Sequence, residues 1–461
     1  MADSFRLNTI VMNSVWLSNY NSSSEVQIAD MVTEINIFES IYSNIIVGNI
    51  TIVDSNDLIQ FFPIIGKESI IIDMVLPGED ANNNWVIENF QIYKISDRKI
   101  ESDKVQHYTL WFASPEYIVN SKTRVTKSWN NKTIDQIVQD IFDKNLKYTN
   151  DKKLNIPTKT LGNQTYIAPA WRPLEVINWL CENRTINQNN LADYMFFETF
   201  TEDYKDTQYN FVSLSELTKK NPVAKFTYEP MNLYSGKNKL KLHNVEDISF
   251  QRDIDTLRLN LKGLYNQVLI YYDPVRKKTV TEKISYKDIF EKTSDYKFGK
   301  LTPILDSDFT PDVTSVLMVN EFPINISSNK GINNIITKSV EKTPKRIDEE
   351  YIKKNGSSEN SYMVEKIKKI RDVLMAEFEM FKVNLNGVSG NYRIYGVGKV
   401  VEFEKPHIVN NRDEVFKETG AINDTLLSGN YLITKLRHRI VRLESKFEYK
   451  NYIEISKNSF I

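Results

Sequence analysis

From Phe5 to Tyr117 the apolar residues fall in short alternating or continuous runs, rich in β-branched and aromatic types and separated by polar turns. That pattern predicts a β domain. Its clearest runs are TEINIF, IIVGNITIVDS, SIIIDMVL, FQIYKI and HYTLWFAS. Five or more short strands of this kind predict a small barrel or sandwich over residues 1–118.

After Asn120 the period changes. Thr133 and Gln136 fit a capping box, and Ile134, Ile137, Val138, Ile141 and Phe142 recur at helical spacing, which predicts a helix over 133–146. A second helix begins at Pro173, whose missing N–H costs nothing in a first turn, and buries Leu174, Ile177, Leu180 and Cys181. YMFFETF and YNFVSL, split by a polar turn, read as a hairpin, so residues 119–222 form an α/β domain. Strand patterning resumes over 223–290, through Ile248, Phe250, Ile254, Leu257, Leu259 and Leu261 into VLIYYD. Residues 291–361 are polar, charged and turn-rich and read as an insertion or linker. Met363, Ile367, Ile370, Leu374, Phe378 and Phe381 mark an amphipathic helix, and strands then run to the end.

The first and last β regions echo each other. GKESIIIDM, FQIYKISD and VQHYTLWFAS stand in the same order as GVGKVVEFE, YLITKLRH and FEYKNYIEIS, with a charged turn before the last run in each. The fold class expected is therefore mainly β with α/β inserts, with a tandem repeat of one β module: a first over 1–118 and a second over 223–290 with 362–461.

Composition narrows the classes. The chain has 461 residues, enough for about three domains, and 59 basic against 60 acidic residues leave a net charge of −1. A wholesale electrostatic nucleic-acid binder would be more lopsided. One cysteine makes no internal disulfide, and no apolar run reaches the ~18 residues that span a bilayer. The N-terminus lacks a basic start followed by an apolar stretch, so no signal peptide and a soluble chain are expected.

Catalytic motifs do not emerge. The histidines, His107, His243, His407 and His438, are far apart in sequence and give no metal-ligand spacing. Cys181 lies on an apolar helix stripe and reads as a packing thiol. A phosphate loop at Gly398-Lys399 would need glycine at Arg393, and one at Gly66-Lys67 would need glycine at Phe61. GVSGN around Ser389 is one residue short of a nucleophile elbow. Arg276–Lys278 follow Asp273-Pro274 and read as a solvated hairpin tip. The 53 aromatic residues could form sugar-binding or base-stacking platforms, but in a β-rich chain they read first as core. No cofactor, metal or enzymatic activity is expected.

One stretch, FESIYSNIIVGNITIVDSNDLIQFFPIIGKESIIIDM, resembles the opening of the central baseplate hub proteins of contractile-tailed bacteriophages. The residues that carry the resemblance are Glu39, Ser40, Ile41, Tyr42, Asp54, Pro63, Gly66 and Glu68. APAWRPLEVINWL is similar to the hub's short helix, and YMFFETF with YNFVSLSEL to its hairpin. DTLRLNLKGLYNQVLIYYD, with Asp255, Gly263 and Tyr265, resembles the start of its second barrel. The stretch RDVLMAEFEMFKVNLNGVSGNYRIYGVGKVVEFEKP and LLSGNYLITKLRH, with Gly429 and Tyr431, resemble its closing half. The family's Gly-Asp pair is Gly398-Lys399 here, and 291–361 has no clear counterpart. Hub cores of type VI secretion spike proteins look like more distant relatives.

What the resemblance implies is a homotrimer with two hub-type β-barrels per chain, giving six units in a ring. It would lie at the centre of the virion's tail baseplate after synthesis in the host cytoplasm. Implied partners are a spike protein, a tail tube or tube-initiator protein, tape-measure protein and DNA in passage, with no integral membrane association. Two other readings stay open at this point: a cell-wall glycan or peptidoglycan hydrolase, and a monomeric glycan- or receptor-binding β protein.

Overall fold

A computed structural model describes residues 8–19, 24–76, 84–102, 105–149, 151–201, 206–228, 243–250, 266–273, 278–285, 289, 291, 302–303, 315–320, 361–388, 394–406, 423–424, 426–444 and 446–460. Asp255, Gly263, Tyr265, His407, Ser389, Arg276 and most of 291–361 lie outside them. The chain is mainly β, as its period-2 patterning predicts.

In the N-terminal part the strands are β1 (Thr9–Ser18), β2 (Val32–Ser40), β3 (Val47–Asp54), β4 (Ser69–Val75), β5 (Trp85–Ser102) and β6 (Val105–Ala113). An α/β unit follows with α1 (Pro115–Lys122), α2 (Ile134–Ile141), α3 (Pro173–Asn183), β7 (Tyr194–Phe200) and β8 (Thr207–Ser213). The later part contributes β9 (Lys225–Tyr228), β10 (Asp247–Phe250), α4 (Ser361–Met380), β11 (Phe381–Val388), β12 (Val400–Glu404), β13 (Gly429–Leu443) and β14 (Lys446–Lys457).

The two β parts share one strand order. In the first, hydrogen bonding runs β1-β4-β5-β6-β3-β2; in the second it runs β9-β12-β13-β14-β11-β10. Counted by chain position, both read 1-4-5-6-3-2. Corresponding pairs have the same sense except the first, since β1 lies antiparallel to β4 while β9 lies parallel to β12. The equivalence extends to detail. β5 bulges between Ile92 and Lys94, and β13 bulges between Ile433 and Lys435. At the two bulges Ile92 N–H donates to Glu68 O at 2.8 Å and Ile433 N–H to Lys399 O at 3.0 Å.

The first set does not close on itself. β13 and β14 fill its gap, giving an antiparallel ring β13-β2-β3-β6-β5-β4-β1-β14, with β14 returning to β13. The ring built on residues 1–118 therefore takes two of its eight strands from 429–457, because its own strands leave unpaired the outer edge of β2 and the Thr9–Ile10 end of β1, whose Trp16–Ser18 end pairs with Glu25–Gln27. Its core is continuous with that of the second set, from Ile35, Ile50 and Leu110 to Leu385, Leu436 and Ile455.

Other elements sit beside this sheet. Ile137, Val138, Ile141, Leu180, Cys181, Tyr194 and Phe211 form the separate core of the α/β unit. Helix α2 is shorter than its pattern predicts, ending at Ile141 in a π-turn over Phe142–Leu146. The capping box also fails: Thr133 makes no cap bond, and Thr160 Oγ1 accepts the Asp135 N–H instead. The VLIYYD strand, expected in the second barrel, pairs in a three-stranded sheet with Lys278–Ser285 and Ser315–Asn320.

Candidate functional site at the junction of the strand sets

The two sets meet where β2 runs antiparallel to β13, with Ser40 opposite Lys435, Glu39 opposite Leu436 and Ile35 opposite Ile440. The apolar side chains Ile35, Ile37 and Ile440 are fully buried there. Alternation then requires the intervening residues to face the other way, and they carry charge. Arg439 Nε donates to Glu34 Oε1 at 3.0 Å, and Arg437 lies 3.5 Å from the same oxygen.

The Glu39-Ser40-Ile41-Tyr42 turn closes this seam. Glu39 is buried, and its Oε1 lies 2.9 Å from His438 Nε2, whose Nδ1 is 2.9 Å from the Tyr449 hydroxyl. Ser40 Oγ accepts the Tyr42 N–H, and Ile41 N–H donates to Thr434 O at 3.0 Å. The Tyr42 ring lies 4.8 Å from Lys382 Nζ and 5.7 Å from Lys435 Nζ, within cation–π range. Both ammonium groups reach Glu454, at 3.4 and 2.9 Å. Burial alone would raise the Glu454 carboxyl, but the Thr434 hydroxyl and the two lysines hold it below the usual carboxylate range.

Three other motif residues hold their own loops. Asp54 accepts N–H groups of Asn56 and Leu58 and bonds from Gln106 and Tyr108, pinning the turn after β3. Glu68 is buried and accepts the N–H groups of Ile65, Gly66 and Lys67, while Gly66 takes φ +88°. Thus the Gly-x-Glu spacing is a backbone cap. Gly429 starts β13, and Tyr431 donates to Leu427 O at 2.6 Å. Beneath it the buried Lys457 donates to Leu426 O and Ser428 O and lies 4.7 Å from the Tyr431 ring.

The structure therefore brings Glu39, Ser40, Ile41 and Tyr42 together with β13, and leaves Asp54, Gly66 and Glu68 in separate loops. The sequence reading missed the partners across the seam: His438, Lys435, Glu454, Arg437 and Arg439. One signal was visible, the repeated Ile-x-Lys-apolar step at Ile92-Tyr93-Lys94-Ile95 and Ile433-Thr434-Lys435-Leu436, which marks both bulges.

No cluster of three or more potential metal ligands occurs among the described residues. His107 lies beside Glu101 at the surface, His243 packs against Phe226 and Tyr395 with burial lowering its pKa, and His438 is committed to the seam. Burial pushes the Cys181 thiol up to about 12, the wrong direction for a nucleophile. No helix among the described residues is long and apolar enough to cross a membrane. What this geometry does is join strands.

No protein-family model and no curated protein matches the chain. Among solved structures it is similar to a tail protein from Neisseria meningitidis MC58, at 10% identity and TM-score 0.49, over 96% of both chains. It is similar to the 43 kDa tail protein of prophage MuSo2 from Shewanella oneidensis, at 9% identity and TM-score 0.48, over 96% of this chain and 97% of that one. A third is the E. coli c3393 protein, described as a type VI secretion component with structural similarity to the T4 bacteriophage tail proteins gp27 and gp5. Its match has 9% identity and TM-score 0.42, over 98% of this chain and 78% of that one.

Proposed function

We propose that the chain is a structural hub of a contractile phage tail, a trimer that adapts a sixfold tube to a threefold spike around a central channel. The observation that carries this is the duplicated strand order, 1-4-5-6-3-2 in both β parts. A closed ring of three identical chains has threefold symmetry, so it meets a sixfold partner like-for-like only if each chain offers two equivalent units. Two strand sets of like order in one chain support that arrangement. The ordered sequence resemblance to baseplate hub proteins, from Glu39 to Tyr431, supports the same reading.

In this assembly the tail tube or its initiator stacks on one side of the ring and the spike on the other, with tape-measure protein and DNA leaving through the channel. Interfaces of an obligate ring would bury roughly 2,000–5,000 Å² each. Negative-stain images of the purified chain test the reading: rings with a six-lobed outline are expected, and isolated single-chain particles, even with spike protein added, contradict it. A cell-wall zymogram separates the hydrolase reading, which requires clearing around this chain alone; the hub reading expects none.

A further inference from the structure

Strand β5 is long, and β4 covers only its first half, from Trp85 to Gln91. Along Tyr93–Glu101 no strand among the described residues pairs on that side. In the second set the equivalent edge of β13 is filled: β12 covers its start, and β2 pairs with it from Lys435 to Val441. The equivalent of β2 is β10, and β10 pairs with β11 on one side and with no described strand on the other. Each set thus has one copy of the same joint, one made within the chain and one whose two halves have no partner strand among the described residues.

We propose that β5 of one chain pairs antiparallel with β10 of a second copy, in the register that β13 and β2 set within the chain. The β5–β6 hairpin then extends the neighbour's second set at β10, while β9 at the other end of that set is already flanked by β12 and by Asn244–Val245. Register follows by matching partners. Ile100 faces Gln106 as Ile440 faces Tyr449, and Ile248 faces Leu385 as Ile35 faces Ile50. Since Ile440 lies opposite Ile35, Ile100 falls opposite the neighbour's Ile248, and Lys99 opposite its Ser249.

The side chains fit this assignment. Ile440 and Ile37 are fully buried in the internal joint, whereas their equivalents Ile100 and Phe250 are 77% and 54% exposed in the single chain. Charge is also matched: Arg439 meets Glu34 internally, and Lys99 and Asp247 occupy those places at the open joint. An exposed strand edge with apolar side chains is an aggregation hazard unless something pairs with it. A head-to-tail contact of this kind propagates from copy to copy and closes if the rotation allows. That it closes after three copies rests on the proposed hub reading; the pairing itself does not.

The test is disulfide trapping in a Cys181→Ser background. Two single variants, Ile100→Cys and Ile248→Cys, are mixed and mildly oxidised; covalent dimers on a denaturing gel are expected. The double variant should give a ladder to trimer, and Ile100→Cys mixed with Asp247→Cys, one step out of register, should give markedly less. Ile100→Glu supplies a second readout, since the site is exposed in the lone chain: an unchanged melting transition with self-association weakened at least about tenfold. A particle of three chain masses that gives no Ile100→Cys/Ile248→Cys link overturns the strand pairing and leaves the hub reading standing. A chain that stays monomeric at all concentrations overturns both.

Discussion

Gly48 and Gly66 are both glycines for local reasons, but the reasons differ. A Cβ at Gly48 would lie 2.2 Å from the Phe112 ring and 2.7 Å from Asn36 O, whereas at Gly66 the nearest atom is 3.8 Å away and the constraint is φ +88°. Gly66→Ala should therefore cost about 1 kcal/mol, the usual penalty for a left-handed residue. Gly48→Ala should cost about 3 kcal/mol by overpacking; urea unfolding of the two variants checks the order. The second set solves the same space the other way, with Val383 opposite Ile455 where the first has Gly48 opposite Phe112. Glu39→Ala should cost about 3 kcal/mol, because it leaves His438 buried without its carboxylate partner.

Lys457 gives a pH signature at the same scale. Burial lowers its pKa from 10.5 to about 7, against a weaker opposing pull from Asp424. Between these values the unfolded chain carries a proton that the folded chain has released, so folding stability rises with pH across the window. The gain is complete above the ordinary lysine value and is lost as pH falls towards 7. Lys457→Met should flatten that slope. It should also lower stability, since Leu426 O and Ser428 O lose a donor, so the slope rather than the level is the readout.

At the level of elements, local signals were legible where local physics decides. The stripe from Met363 to Phe378 became α4, although Phe381, its expected last member, starts β11; Pro173 opens α3, and the paired aromatic runs became β7 and β8. Thr133 misled because tertiary structure supplied a better cap through Thr160. VLIYYD carries a strand pattern, but a pattern does not name its partner, and it pairs with Ser315–Asn320. α4 is tied to the α/β unit by Arg371, which donates to Tyr194 O at 2.7 Å and Ala192 O at 3.4 Å. Arg371→Ala should raise amide exchange in α4 on the order of tenfold or more, the worth of one charge-assisted hydrogen bond. Exchange in β13 and β14 should change little.

At the scale of the molecule, the echo between the β regions was readable, but its closure was not. Paired residues of β2 and β13 lie about 400 positions apart in sequence, and their register rests on alternation at Ile35, Ile37 and Ile440 rather than on any contiguous motif. The motif residues were found by resemblance, and only the structure shows why they are needed: Glu39 to Tyr42 lock the seam, while Asp54 and Glu68 cap loops. Among the described residues the duplicated order makes one closed ring and leaves the outer edge of β10 in the second set unpaired, which is what the proposed assembly of three copies would fill. Light scattering on the purified protein tests this most directly. A mass of three times 53.8 kDa is predicted; a monodisperse species of one chain mass, unchanged by added spike protein, would contradict it.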